Sequence, residues 1–279
     1  MKKVIASLLR QNLSERTRRI LKSVTVCILY GWTFIAITLP LLLLKLLSVF
    51  PVKKMFISGT PIVRFYWEKF LLSHLEDFHG DAAEIDSKSN IECLGKYNLV
   101  INGRGLRSAK AIDIVSSGNE DYVADLSDCW NIPSEQFDLL LVQFTLHMIL
   151  DDKAALYHST RILKPGGVLL CNFPAISGYF PNGILYKGYR GYVYRWYTPQ
   201  LLKEIFKTLG LEEKDYTLTV NGNRIARTLY ADFYIPKEVI PNWLLKDDPA
   251  VPILISVRIK KPLDWSPIFQ ANKKCRLGN

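Results

Sequence analysis

The sequence predicts an α/β domain built on a mostly parallel sheet, and two stretches carry that reading. The first, "RILKPGGVLLCNFP" at 161–174, changes character midway: a helix end, a two-glycine turn, then a strand that is apolar on both faces. The second, "FDLLLVQFTLHMIL", holds another such strand at Phe137–Val142, so the two strands and the helix between them form a β-α-β unit. In such sheets ligands sit beyond the carboxyl ends of the strands.

Taken in order, the elements support this class. "GTPIVRFYWEKFLLSHLEDF" reads as a helix with Phe65, Phe70, Leu71 and Leu75 among its apolar positions. Strands are expected near Ala82–Ile85, near Asn98–Ile101, ending at Asn102, and near Tyr122–Ala124. After the fourth strand, Asp151 or Asp152 caps a helix that carries Leu156 and Leu163 on one face. Pro165 cannot continue that helix, and Gly166 and Gly167 permit the turn into Val168–Phe173. In "RWYTPQLLKEIFKTLG", Thr198 is an N-cap, Pro199 takes the first helical position and Gly210 closes the helix. "YTLTV" at 216–220 and "VPILISVRIKK" at 251–261 are strands that follow one another closely, as at an antiparallel sheet edge.

Composition divides the chain of 279 residues, whose formal net charge is +10, at about residue 58. Residues 1–60 hold ten Lys or Arg against Glu15 alone, so the basicity belongs to the amino-terminal segment and the rest is near neutral. Residues 23–44 carry no charge, and about 20 such residues suffice to cross a bilayer. Residues 1–58 are therefore expected to be a basic segment with a membrane-anchor candidate at about 23–50, and residues 59–279 the globular body. Pro40 permits either a kinked span or a re-entrant hairpin, and a buried helical hairpin or dimer helix is the alternative to membrane contact. A near-neutral body lacks the broad positive surface that nucleic acid requires. The five cysteines show no paired spacing, which argues against a disulfide framework or a zinc site, and His74, His79 and His158 show no metal spacing.

Residues 59–262 resemble the class I, S-adenosylmethionine-dependent methyltransferases of the type 11 kind, most specifically at Phe137–Phe173 and at "YRWYTPQLLKEIF". The resemblance implies a Rossmann-like, seven-stranded, mostly parallel sheet with its last strand antiparallel, to which this chain adds an N-terminal hydrophobic helix or hairpin. It implies S-adenosylmethionine as cofactor and transfer of its methyl group to a small-molecule, glycan or lipid-linked acceptor, and the uncharged run at 23–44 adds the expectation that the enzyme is membrane-associated. Because that donor is cytosolic, the body is expected on the cytoplasmic side.

The site expected from the resemblance departs from the family pattern at its first loop. Glu84 matches the family's acidic residue, but Asp86, Ser87, Lys88 and Ser89 stand where glycines usually let the backbone approach the ligand. Asn102 ends the expected second strand and offers an amide, not a carboxylate, to the ribose. Asp125 and Leu126 fall where an acid and an apolar residue surround the adenine, and Gln143 and Phe144 would floor the sulfonium. His147 is the candidate catalytic base, its unperturbed pKa lying near neutrality; a structural hydrogen bond is the alternative. Arg195 would bond a carboxylate or carbonyls at a helix end while Trp196 packs, the alternative being that the two shape an acceptor pocket; the loop holding Tyr179, Tyr186, Tyr189 and Tyr192 reads as a lid with glycine hinges, with a mobile surface loop as the alternative. The missing glycines support a second function class, a non-catalytic scaffold or binding protein of this fold at the membrane. A nicotinamide dehydrogenase is disfavoured, since no GxGxxG follows the first strand.

Overall fold

A computed structural model of the chain describes residues 59–176, 182–231 and 236–272. All of them lie in one compact unit, Ser58–Asn279. The anchor candidate at 23–50, Tyr179, Cys27 and Cys275 lie outside the described residues, and among those described no helix is long and apolar enough to cross a membrane.

Seven strands form the sheet: β1 (Gly80–Ile85), β2 (Leu106–Asp113), β3 (Tyr122–Val123), β4 (Phe137–Val142), β5 (Leu163–Pro174), β8 (Tyr216–Asn221) and β9 (Leu254–Lys260). Their order is β3-β2-β1-β4-β5-β9-β8. β1 to β5 pair in parallel, and β9 runs antiparallel between β5 and β8. This is the Rossmann-like methyltransferase arrangement that the resemblance implies. Two short strands, β6 (Ile184–Tyr186) and β7 (Tyr189–Gly191), make a separate hairpin.

Helices cover both faces, which is why β4 is apolar from Leu139 to Val142. Leu139 and Leu141 pack towards α1 (Ile62–Ser73) and α2 (Ser89–Asn102), with Tyr66, Trp67, Phe70 and Ile91. Leu140 and Val142 pack on the other face, with Leu156 of α3 (Asp152–Arg161) and Leu202 and Phe206 of α4 (Pro199–Thr208). All four strand residues are fully buried, so each contributes about 1.5–3 kcal/mol of apolar burial. The caps follow the sequence: Asp151 accepts from the Ala154 N–H at 3.0 Å and Thr198 from the Leu201 N–H at 3.2 Å.

The second strand is not where the sequence pattern puts it. Residues 98–101 belong to α2, and Asn102 is that helix's last residue, donating to Asn98 Oδ1 at 2.8 Å. The pattern misleads because α2 turns its apolar residues outward: Val100 is 85% exposed, while Gly95 and Asn98 face the body. Asn98 is held inside by donating to the Phe78 carbonyl, and Gly95 lets the helix approach Leu106, whose Cγ would lie 2.5 Å from an added Cβ. The strand itself, "LRSAKAID", is hidden by Arg107 and Lys110, whose charges are answered by Asp81 and Asp121.

The two-glycine turn also differs from expectation. α3 ends at Arg161 and β5 pairs at once, Leu163 opposite Phe137, and the next partner of β4 is Val168 opposite Leu139. Lys164–Gly167 therefore bulge from the ladder. Gly166 takes φ 79°, and a Cβ on Gly167 would meet the Lys164 and Phe137 carbonyl oxygens at 2.9 and 3.0 Å.

Candidate active site

The strand order reverses between β1 and β4, and a cavity of about 300 Å³ opens at the carboxyl ends there. Its walls come from the residues that end four strands: Ile85 and Asp86 after β1, Asp113 of β2, Asp125 after β3, and Gln143 and Phe144 after β4. A larger groove, about 530 Å³, lies at the opposite rim. Two of its acids are matched, Asp77 by Arg258 at 2.7 Å and Asp138 by Lys164 at 2.8 Å. The carboxyl rim is the end at which sheets of this kind hold ligands.

Four expected site residues, Asp86, Asp125, Leu126 and Gln143, meet at this cavity. Asp86 sits at φ 79°, so an aspartate supplies the left-handed turn that glycine supplies more easily. Asp125 accepts from the N–H and hydroxyl of Ser127, both at 2.8 Å, which fixes its carboxyl at the wall. Gln143 spends both ends of its amide internally, accepting from Trp67 Nε1 at 3.0 Å and donating to Glu84 at 2.9 Å.

Glu84 lies behind the wall, fully buried. Its carboxylate accepts from the backbone N–H groups of Asn90 and Ile91, both at 3.1 Å, and from the Asn90 side chain, so it anchors the first turn of α2. Those donors favour the charged form, but burial outweighs them and pushes its pKa up to about 7.

Asn102 is a correction: it ends α2 and does not line the cavity. The acid at the end of the second strand is Asp113, which the sequence reading missed by placing that strand about ten residues early. The signal was present as the carboxylate closing the alternating run "LRSAKAID". Asp113 is 3% exposed and accepts from Lys187 Nζ at 2.8 Å, Tyr186 Oη at 3.2 Å and the Val115 N–H at 3.2 Å.

His147 is a second correction: it does not line the cavity, although Thr145, Met148 and Ile149 around it do. It is buried in the turn after β4, its carbonyl accepts from the Tyr194 N–H at 2.9 Å, and its Nδ1 has no partner among the described residues. Burial pushes its pKa down to about 4. Arg195 does bond at a helix end, donating to Asp152 at 2.7 Å and to the Leu150 carbonyl.

One feature went unread in the sequence: Arg64 of α1 brings a cation to the cavity wall. The loop read as a lid holds the β6–β7 hairpin, which lines the cavity through Ile184, Tyr186, Tyr189 and Gly191, and Tyr186 also donates to Asp86. Among the described residues no cluster of His, Cys, Asp and Glu suits a metal ion.

Comparison with known proteins finds similarity to methyltransferases. Residues 106–171, from β2 into β5, match the family described as "Methyltransferase domain". The ubiquinone/menaquinone biosynthesis C-methyltransferase UbiE of Francisella tularensis subsp. novicida is 40% identical over 53 residues, 19% of this chain and 21% of that protein. Its namesake from a Shewanella species is 31% identical over 98 residues, 35% of this chain and 34% of that protein. The chain thus spans only a fifth to a third of the length of these relatives. Among solved structures, an Archaeoglobus fulgidus SAM-dependent methyltransferase is 13% identical with a TM-score of 0.42, covering 71% of this chain and 93% of that one. A Burkholderia thailandensis 1,6-didemethyltoxoflavin-N1-methyltransferase, solved with S-adenosylhomocysteine, is 15% identical with a TM-score of 0.39, over 81% and 89%.

Proposed function

We propose, from the premise that residues 106–171 match a methyltransferase domain, that this protein is an S-adenosylmethionine-dependent methyltransferase. The observation that carries the reading is the carboxylate of Asp113 at the end of β2, beside Asp86, at the point where the strand order reverses. A ribose diol presents two hydroxyl donors, and a buried carboxylate is a strong acceptor for them. Ile112, Ile114, Ala124 and Leu126 supply the apolar wall an adenine needs, and Asp125 stands at its edge. Arg64 offers a charge for the carboxylate of the donor's amino-acid tail. The residues thus fit the donor, although the cavity is at the lower end of the roughly 300–1,000 Å³ usual for ligand pockets.

When bound, the donor supplies an electrophilic methyl group on a positively charged sulfur, and the protein's task is to hold and align it. Phe144, held at φ 48° by its N–H bond to Asn172 Oδ1 at 2.8 Å, faces the cavity as an apolar floor that excludes water. The acceptor in this reading is a small molecule, with a lipid-linked or glycan acceptor the finer form of it, consistent with the uncharged run at 23–44. The body then works at the cytoplasmic face of a membrane. Flotation of the full-length chain with vesicles tests that part, and recovery wholly in the soluble fraction counts against it.

One observation favours the second reading, a non-catalytic binding protein of this fold: Asp113 is already paired with Lys187. Isothermal titration of the full-length chain with S-adenosylmethionine decides between them. Binding that Asp113→Asn weakens supports the enzyme; no heat from the wild-type chain and from variants that free Asp113 supports the binding protein.

A further inference from the structure

We infer that the β6–β7 hairpin is an internal competitor of the methyl donor, with Lys187 and Tyr186 occupying the carboxylates Asp113 and Asp86 that the donor's ribose would use. This rests on the proposed donor site and adds a regulatory step to it. Lys187 Nζ lies 2.8 Å from Asp113 and 3.6 Å from both Asp86 and Glu120. Tyr186 donates to Asp86 and to Asp113. The hairpin's tip therefore satisfies the wall that a ligand would satisfy.

The turn itself shows that lysine is placed there for its ammonium. Lys187 and Gly188 are the two central residues between the paired Tyr186 and Tyr189, with φ of 43° and 83°. Two positive φ values define the hairpin turn that favours Asn-Gly or Gly-Gly, and a lysine at its first position is strained. Its tip compensates by reaching Asp113.

A buried carboxylate without a partner is costly, so Asp113 keeps Lys187 until another donor of hydrogen bonds replaces it. Ribose hydroxyls are such donors. Hairpin closure and donor binding then exclude each other, and the apparent affinity is the intrinsic affinity multiplied by the fraction of open hairpin. The seat of the closed state is shaped: Gly191 passes Met148 so closely that a Cβ would fall 2.5 Å from its Cε.

The test uses the full-length chain and S-adenosylhomocysteine, an unreactive probe, by isothermal titration. Lys187→Asn keeps the turn, indeed gives it the favoured Asn-Gly pair, while removing the ammonium. It should bind the probe about tenfold tighter than wild type, and Lys187→Arg should bind as wild type does. Tyr186→Phe should fall between. In wild type, the probe should speed hydrogen exchange of the Tyr186–Gly191 amides. Equal or weaker binding by Lys187→Asn, with wild type binding, overturns the competitor and leaves the donor site standing. No binding by wild type, Lys187→Asn and Tyr186→Phe removes the donor site and the competitor with it.

Discussion

Asp113 and Glu84 are both buried carboxylates, and their surroundings assign them different work. Asp113 faces the cavity, so adding Asp113→Asn to Lys187→Asn, where no ammonium competes, should weaken S-adenosylmethionine binding about ten- to a hundredfold, the worth of about 1.5–3 kcal/mol for a hydrogen bond to a charged group; calorimetry measures it. Glu84 faces α2. Its pKa in the fold, about 7, is above the ordinary 4.5, so between those values the folded chain binds more protons than the unfolded one. The contribution of Glu84 to stability therefore falls as pH rises across that window. Urea unfolding of Glu84→Gln should show the variant gaining on wild type as pH rises across the same window. His147 has the opposite sign: its pKa, about 4 against an ordinary 6.5, makes the unfolded chain the better proton binder. Stability should rise with pH through that range, and His147→Gln should lose that dependence. Because His147 does not line the cavity, the same variant should keep a turnover within about threefold of wild type, well short of the 10²-fold or more that loss of a general base costs.

Elements with two-sided burial were legible in the sequence, and elements whose burial depends on one particular contact were not. β4 and β5 declare themselves because helices on both faces demand continuous apolar runs. α4 declares itself through Thr198, Pro199 and a one-sided apolar face. α2 misled because its exposed Leu99, Val100 and Ile101 mimic a strand, while what buries it is Gly95, Ile91 and the amide of Asn98. The strand after it was obscured by Arg107 and Lys110, whose partners lie elsewhere in the chain. Asp86, Asp125, Leu126 and Gln143 could be placed from the strand ends, but Asp113 depended on that one strand, and nothing local in "LYKGYR" reveals that Lys187 reaches β2. The bulge at Lys164–Gly167 makes its own prediction. Gly167→Ala brings a methyl against two backbone carbonyls and should lower stability by about 1–3 kcal/mol, read from the urea midpoint.

Across the molecule, charge, fold and site divide along the chain. The excess positive charge sits before residue 61, and the near-neutral remainder holds the sheet and a cavity at its carboxyl rim. Of the two hollows described, the larger lies at the opposite rim, whereas the smaller gathers Asp86, Asp113 and Asp125 around apolar walls under a hairpin whose Lys187 pairs with Asp113. The strand order reverses at the carboxyl rim, which ties the proposed activity to that end of the sheet. Calorimetric titration of the full-length chain and of Lys187→Asn with S-adenosylmethionine measures it most directly. The account predicts saturable binding in the range of about 1 μM to 1 mM usual for enzyme substrates, tighter in the variant and weakened when Asp113→Asn is added to that variant. Absence of binding in both chains, or binding by Lys187→Asn that is indifferent to the added Asp113→Asn, would contradict it.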